Sequence, residues 1–162
     1  MLVKTRYYLS MKKESAGILV YRKSGGAIEV FLIHPGGPFW AKKEIGAWSI
    51  PKGERSDSED LLKTAMREFK EETNFDINGD FKKLSPLTQK SGKVVYIWAV
   101  EGNCDPSALK SNFIDIEWPP KSGLKTKIPE ADKAFWFPLG EARKMIVAGQ
   151  IGFLDELEKL GG

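Results

Sequence analysis

Cysteine and histidine occur once each in this 162-residue chain, as Cys104 and His34. One cysteine excludes an intrachain disulfide, which suits a reducing compartment, and a cytoplasmic location is expected. Cys104 itself reads as a plain loop residue. One histidine excludes an HExxH zinc site, a Cys/His zinc site and a histidine-triad nucleotide hydrolase. His34 closes the apolar run VFLIHP and reads as a strand-end residue. Long hydrophobic runs are also missing. None approaches the roughly 18 residues of a membrane span, so no membrane partner is expected. The amino terminus, MLVKTRYYLSMKKES, has charge but no apolar h-region, and so is not a secretory signal.

Neither sign of charge dominates: 25 Lys and Arg face 22 Asp and Glu, for a net charge of +3. That mild positive balance suits a polyphosphate ligand and does not call for nucleic acid. No internal repeat or low-complexity linker divides the chain. Its length fits one domain with a real core, expected over residues 15–162 behind an extension over 1–14. A start at Met11 in place of Met1 would spare that domain. Nothing in the sequence speaks to the oligomeric state.

Residues 15–21 and 28–33 read as two strands of a hairpin, joined through the turn signal Lys23-Ser24-Gly25-Gly26. Pro35-Gly36-Gly37-Pro38 opens a loop that carries Phe39, Trp40, Lys42 and Lys43. Residues 47–50 read as a short strand. Ser56 and Glu59 fit a capping box at a helix start. An apolar stripe of Leu61 or Leu62, Ala65 and Phe69 carries that helix to Asn74. Residues 81–88 and 94–100 are further expected strands. The stretch 101–130, rich in Pro, Ser and Lys, reads as one long loop with a substrate-facing role. A short strand over 134–137 and helical segments over 139–148 and 153–160 complete the order. Strands and helices mixed in this way give an α/β class.

The densest chemistry lies between Gly53 and Phe75, GERSDSEDLLKTAMREFKEETNF. Glu68, Glu71 and Glu72 fall at i, i+3 and i+4, neighbours on one helix face with Cβ atoms roughly 5–6 Å apart. Carboxylates crowded this closely repel one another unless a cation neutralises them. Hard oxygen ligands from one face suit Mg²⁺ or Mn²⁺. Arg67 stands four residues before Glu71, so an ion pair along the helix is available.

This segment resembles the signature box of the Nudix hydrolases. The family pattern is Gly, five residues, Glu, seven residues, Arg-Glu, a bulky apolar residue, any residue, Glu-Glu, any residue, Gly, and a bulky apolar residue. Gly53, Glu59, Arg67, Glu68, Phe69, Glu71, Glu72 and Phe75 match it. Asn74 replaces the second glycine, and Asn tolerates the left-handed conformation found just past a helix end. The resemblance implies an α/β/α sandwich with a mixed β-sheet flanked by helices. It also implies hydrolysis of a diphosphate linkage in a nucleotide by a metal-activated water. Glu68, Glu71, Glu72 and the backbone carbonyl of Lys52 are the implied ligands of Mg²⁺ or Mn²⁺. One of the three glutamates is the implied general base. Arg67 is implied to orient a catalytic glutamate with help from Glu59.

Upstream, Trp48-Ser49-Ile50-Pro51-Lys52-Gly53 resembles the W-x-x-P-K-G entry of the branch that acts on dinucleoside polyphosphates. That branch also places a Glu shortly before a Trp near the carboxyl end. PEADKAFW makes Glu130, ahead of Trp136, an implied further ligand or base. HPGGPFWAKK and EWPP resemble a bacterial branch of nucleoside-triphosphate pyrophosphohydrolases. Nucleoside triphosphates and dinucleoside polyphosphates are therefore the two rival expected substrates. RNA 5′ ends, or a non-catalytic nucleotide-binding role, are the alternatives. Lys52 and Lys42 are candidate phosphate contacts, with Lys43 beside them. Trp40 and Trp118 are candidate stacking platforms for a base, each worth about 1–3 kcal/mol where stacking occurs. Of Tyr96 and Trp98, at most one is expected to face the cleft.

Overall fold

Apolar residues run almost without break through the first two strands, a pattern that belongs to strands covered on both faces. In the computed structural model, which describes residues 13–161, β1 (Glu14–Ser24) and β2 (Ala27–Pro35) form the expected hairpin. Gly25 and Gly26 close it, both at positive φ, the region a two-residue hairpin turn needs. Along β1, Ala16, Ile18 and Val20 face one side, and Leu19 and Tyr21 face the other.

β1 is the hub of the sheet. It pairs in parallel with β6 (Val94–Glu101) and antiparallel with β3 (Lys52–Glu54). β9 (Ala131–Pro138) extends β2. The two-residue strands β4 (Lys82–Lys83) and β5 (Leu87–Thr88) lie against β6. The path β4-β6-β1-β2-β9 contains the parallel β6–β1 pair among antiparallel ones, so the sheet is mixed.

Helix α1 (Leu61–Thr73) covers one face, where Ala65 and Phe69 meet Ile18, Val20, Phe31 and Val100. Phe69 is fully buried, and burial of that kind contributes about 1.5–3 kcal/mol. Helices α2 (Leu139–Met145) and α3 (Ile151–Leu160) cover the other face. There Ala142, Phe153, Leu154 and Leu157 meet Leu19, Leu32, Ile97 and Phe137. This is the expected sandwich of a mixed sheet between helical layers.

Several boundaries differ from the sequence reading. Helix α1 begins at Leu61, and Asp60 is the residue that caps it, accepting from the Lys63 N–H at 3.1 Å. Ser56 and Glu59 instead shape a turn ahead of the helix, because Arg67 and Thr64 claim the Glu59 carboxylate. The stretch 81–88 breaks into β4 and β5 around Pro86, which has no N–H for a ladder. Within 47–50 only isolated bridges form, at Trp48 and Ser49. The stretch 101–130 is not structureless. It holds a 3₁₀ turn (Pro106–Ala108) and a ribbon of β7 (Phe113–Glu117) with β8 (Lys125–Pro129). Tyr96 and Trp98 lie on the same face of β6, the α1 side, as residues two apart on a strand must.

Candidate active site

Helix α1 and the short strand β3 build the site between them. Two caps hold the helix in register. Asp60 closes its start, and Asn74 ends it in the left-handed region at φ 65°, its N–H donating to the Lys70 carbonyl at 2.8 Å. Opposite the helix, Pro51 to Glu54 lies flat on β1. A Cβ on Gly17 would stand 2.3 Å from the Pro51 carbonyl oxygen, so only glycine permits that approach. Gly53 faces the other way, against the helix. A Cβ there would stand 2.0 Å from the Glu68 carboxyl carbon. The box glycine therefore leaves the space that Glu68 fills.

Glu72 is the most buried carboxylate of the group, at 9 % exposure. It accepts from the backbone N–H of Lys52 at 3.1 Å. Burial, with the charges of Glu130 and Glu68 added, pushes its pKa up to about 9. Burial also raises Glu68, against the pull of Arg67. Glu130 thus acts electrostatically on both helix glutamates although it lies far along the chain. Its backbone is tied on two sides: its N–H donates to the Asn112 carbonyl, and its carbonyl accepts from Gly36. Asn112 in turn donates to the Glu71 carbonyl at 3.0 Å, which fastens the foot of the β7–β8 ribbon to α1.

Arg67 organises the remaining carboxylates. Its Nε and Nη2 donate to the two oxygens of Glu59 at 3.1 and 3.0 Å. Its Nη1 donates to Glu68 at 2.8 Å and to Glu71 at 3.2 Å. Nη2 also reaches the Glu54 carbonyl at 3.2 Å, tying the helix to the end of β3. The planar guanidinium matches a carboxylate with two parallel bonds, a geometry lysine lacks. Hydrogen bonds from Arg67 and Thr64 pull the Glu59 pKa down to about 2, so Glu59 is a fixed anion that aligns Arg67. Glu71 keeps a side chain 41 % exposed.

The carboxylates of Glu68, Glu71, Glu72 and Glu130 are hard oxygen donors of the kind a divalent cation takes, and burial first, then the charges of Glu130 and Glu68, favour the protonated form of the deepest, Glu72. Among the described residues, no three acidic, histidine or cysteine side chains already stand together as a formed metal site. Arg67 instead engages Glu68 and Glu71.

Two lysines flank this acidic centre. Lys52 has its pKa lowered by burial first and by neighbouring Lys93 second. Lys93 pairs with Glu54 at 3.3 Å. The sequence reading did not single out Lys93. It follows an ordinary Ser-Gly turn, and only the pairing of β6 and β3 with β1 brings it near Lys52. Trp40 and Lys42 lie on the loop after β2. There Phe39 and Trp40 meet edge to face at 5.0 Å, and the Lys43 Nζ stands 3.6 Å from the Phe39 ring centroid. Trp118 stands at the far end of the β7–β8 ribbon, beyond Glu117 and opposite the end joined to α1. The structure thus groups Lys52, Glu59, Arg67, Glu68, Glu71, Glu72 and Glu130, and sets Trp118 apart from them.

A family model described as the NUDIX domain matches residues 11–157. No curated protein sequence matches the chain significantly. Among solved structures, the binary complex of the C. elegans Ap4A hydrolase is similar at a TM-score of 0.64 and 23 % identity, covering 90 % of this chain and 96 % of that one. The NUDIX domain of Shewanella oneidensis NrtR complexed with ADP ribose is similar at 0.62 and 16 % identity, covering 97 % of each. A mutT/nudix family protein from Listeria innocua is similar at 0.57 and 14 % identity, covering 91 % and 92 %. The chain belongs to the Nudix family.

Proposed function

We propose that the protein is a divalent-metal-dependent pyrophosphohydrolase of a nucleoside polyphosphate, either a nucleoside triphosphate or a dinucleoside polyphosphate. The observation that carries this reading is the carboxylate group around Gly53. Burial, with the neighbouring charges of Glu130 and the other glutamates added, raises the proton affinity of Glu68 and Glu72, and an arginine fork holds Glu59, Glu68 and Glu71. A fold gains nothing by burying such repulsion unless a cation relieves it. The catalytic domain in this reading is residues 15–162.

Mg²⁺ or Mn²⁺ would be held by the Lys52 carbonyl with Glu68, Glu71, Glu72 and Glu130. When bound, such an ion neutralises phosphoryl oxygens and lowers the pKa of a water. The remaining work falls to side chains of the chain itself. One of Glu68, Glu71 and Glu72 takes the proton from the attacking water. Arg67, aligned by Glu59, orients the glutamates on its Nη1. Lys52 and Lys93 offer positive charge to phosphate oxygens beside the acidic centre, with Lys42 further out. Trp40 offers a face on which a base stacks. Glu130 assists from the start of β9.

The test is a substrate panel of nucleoside triphosphates, dinucleoside polyphosphates, nucleotide sugars and triphosphorylated RNA. Each is assayed with Mg²⁺ and with Mn²⁺, and the products are identified. Metal-dependent turnover of one of the first two classes is expected. Tight nucleotide binding without turnover of any member would replace the enzyme with a binding domain.

A further inference from the structure

His34 has no assigned part in that chemistry, yet its surroundings are built for a task. The ring is wholly buried at the end of β2, where the pairing with β9 shifts register between His34 and Pro35. Both nitrogens face an oxygen. Nδ1 stands 2.9 Å from Asp132 Oδ1 on β9, and Nε2 stands 2.5 Å from the backbone carbonyl of Lys43. A carbonyl oxygen only accepts, so Nε2 carries the proton and donates it. The ring meets Trp48 edge to face at 5.2 Å. Trp48 Nε1 donates to Glu44, which also pairs with Lys133 of β9.

These contacts fix the far end of the loop that carries Phe39, Trp40, Lys42 and Lys43. Its near end is fixed as well. The Gly36 N–H donates to the Glu130 carbonyl at 3.1 Å, and a Cβ on Gly36 would overlap the Pro129 carbonyl oxygen. Between these anchors, the Lys43 N–H donates back to the Trp40 carbonyl at 2.9 Å. The arch from Pro38 to Lys42 is therefore placed by its two feet. One foot is beside Glu130, at the acidic centre. At the other, the buried imidazole holds the Lys43 carbonyl, beside the Glu44 bonds to Trp48 and Lys133.

We propose that His34 is a positioning residue for substrate: through the Lys43 carbonyl it holds the Trp40–Lys43 arch against the cleft, and so sets the affinity for nucleoside polyphosphates. This rests on the hydrolase reading above. A purely structural histidine would stabilise the sheet end without regard to which nitrogen is kept.

The two amides separate these roles, because Gln places its nitrogen near the histidine Nε2 position and Asn near Nδ1. His34→Gln keeps the donor to Lys43, and His34→Asn loses it. His34→Asn should raise KM for the preferred nucleoside polyphosphate about ten-fold, the scale of one lost hydrogen bond, with the change in kcat much smaller. His34→Gln should restore KM to within about three-fold of the native value. Amide exchange at residues 39–43 should speed up in His34→Asn and stay slow in His34→Gln. Exchange needs no turnover, so it judges His34 even if the native protein hydrolyses nothing. Thermal melting checks that both variants fold. If His34→Asn does not fold, Asp132→Ala serves instead, since that side chain is 35 % exposed. By freeing the ring it should shift KM and exchange the same way by a smaller factor. Equal KM values for the two amide variants, or unchanged exchange at 39–43 in His34→Asn, would overturn the proposal.

Discussion

Single residues set the chemistry, and two of them separate its parts. Glu71→Gln keeps the shape of the side chain and removes its charge. With Glu71 41 % exposed, the fold should survive, while metal-dependent turnover falls by at least about a hundred-fold, the scale of a lost general base or ligand. Steady-state rates beside a melting curve check this, and native rates would sink the role. Glu130→Gln should cost substantially less than Glu71→Gln if Glu130 only assists. An equal loss would make Glu130 the candidate base. Gly53→Ala tests the space behind the ligands. Its Cβ would displace the Glu68 carboxyl, so Mg²⁺ affinity should drop roughly ten-fold or more, read by metal titration. Unchanged affinity would show that Glu68 does not need that space.

Elements reveal how far the sequence could be read. The carboxylate spacing and the apolar stripe of Ala65 and Phe69 were legible because a helix repeats every 3.6 residues and makes its neighbours predictable. So was the hairpin at Gly25-Gly26, where the turn chemistry is local. The helix start was misplaced because Ser56 and Glu59 satisfy a local pattern while Arg67, eight residues from Glu59, takes its carboxylate. The β7–β8 ribbon escaped notice because four of the five residues of Phe113–Glu117 are exposed, leaving no buried alternation to mark a strand. Lys93 and the clamp on Lys43 depend on pairings between distant segments, which no local spacing encodes. The capping correction can be measured. Asp60→Ala should destabilise the protein by about 1 kcal/mol, while Ser56→Ala should cost under about 0.5 kcal/mol. Urea unfolding of both decides it, and the reverse ranking would restore the earlier start.

At the scale of the whole molecule, stability should depend on pH and metal together. The Glu72 pKa rises from an ordinary 4.5 to about 9 in the folded, metal-free protein. Between those values the folded state holds a proton that the unfolded state has lost, so stability falls as pH rises. The contribution is fully present below pH 4.5 and gone once the pH passes about 9. A bound cation favours the ionised carboxylate and reverses the trend. Melting temperature should thus decline from pH 5 to pH 9 in chelator, and Mg²⁺ should raise it more at pH 9 than at pH 5. A Mg²⁺ effect that is flat with pH would disconnect Glu72 from the metal. The parallel pairing of β1 with β6 has a consequence for the order of assembly. Glu14 has its partner in Val94, so the hub strand keeps one side open until β6, residues 94–101 of 162, is available. Local hairpins close early, but the hub must wait, and long-range pairing of this kind slows folding. A fragment ending at Gly92 should accordingly melt without a cooperative transition by circular dichroism. The strand that organises the finished sheet cannot find its second neighbour until β6 exists.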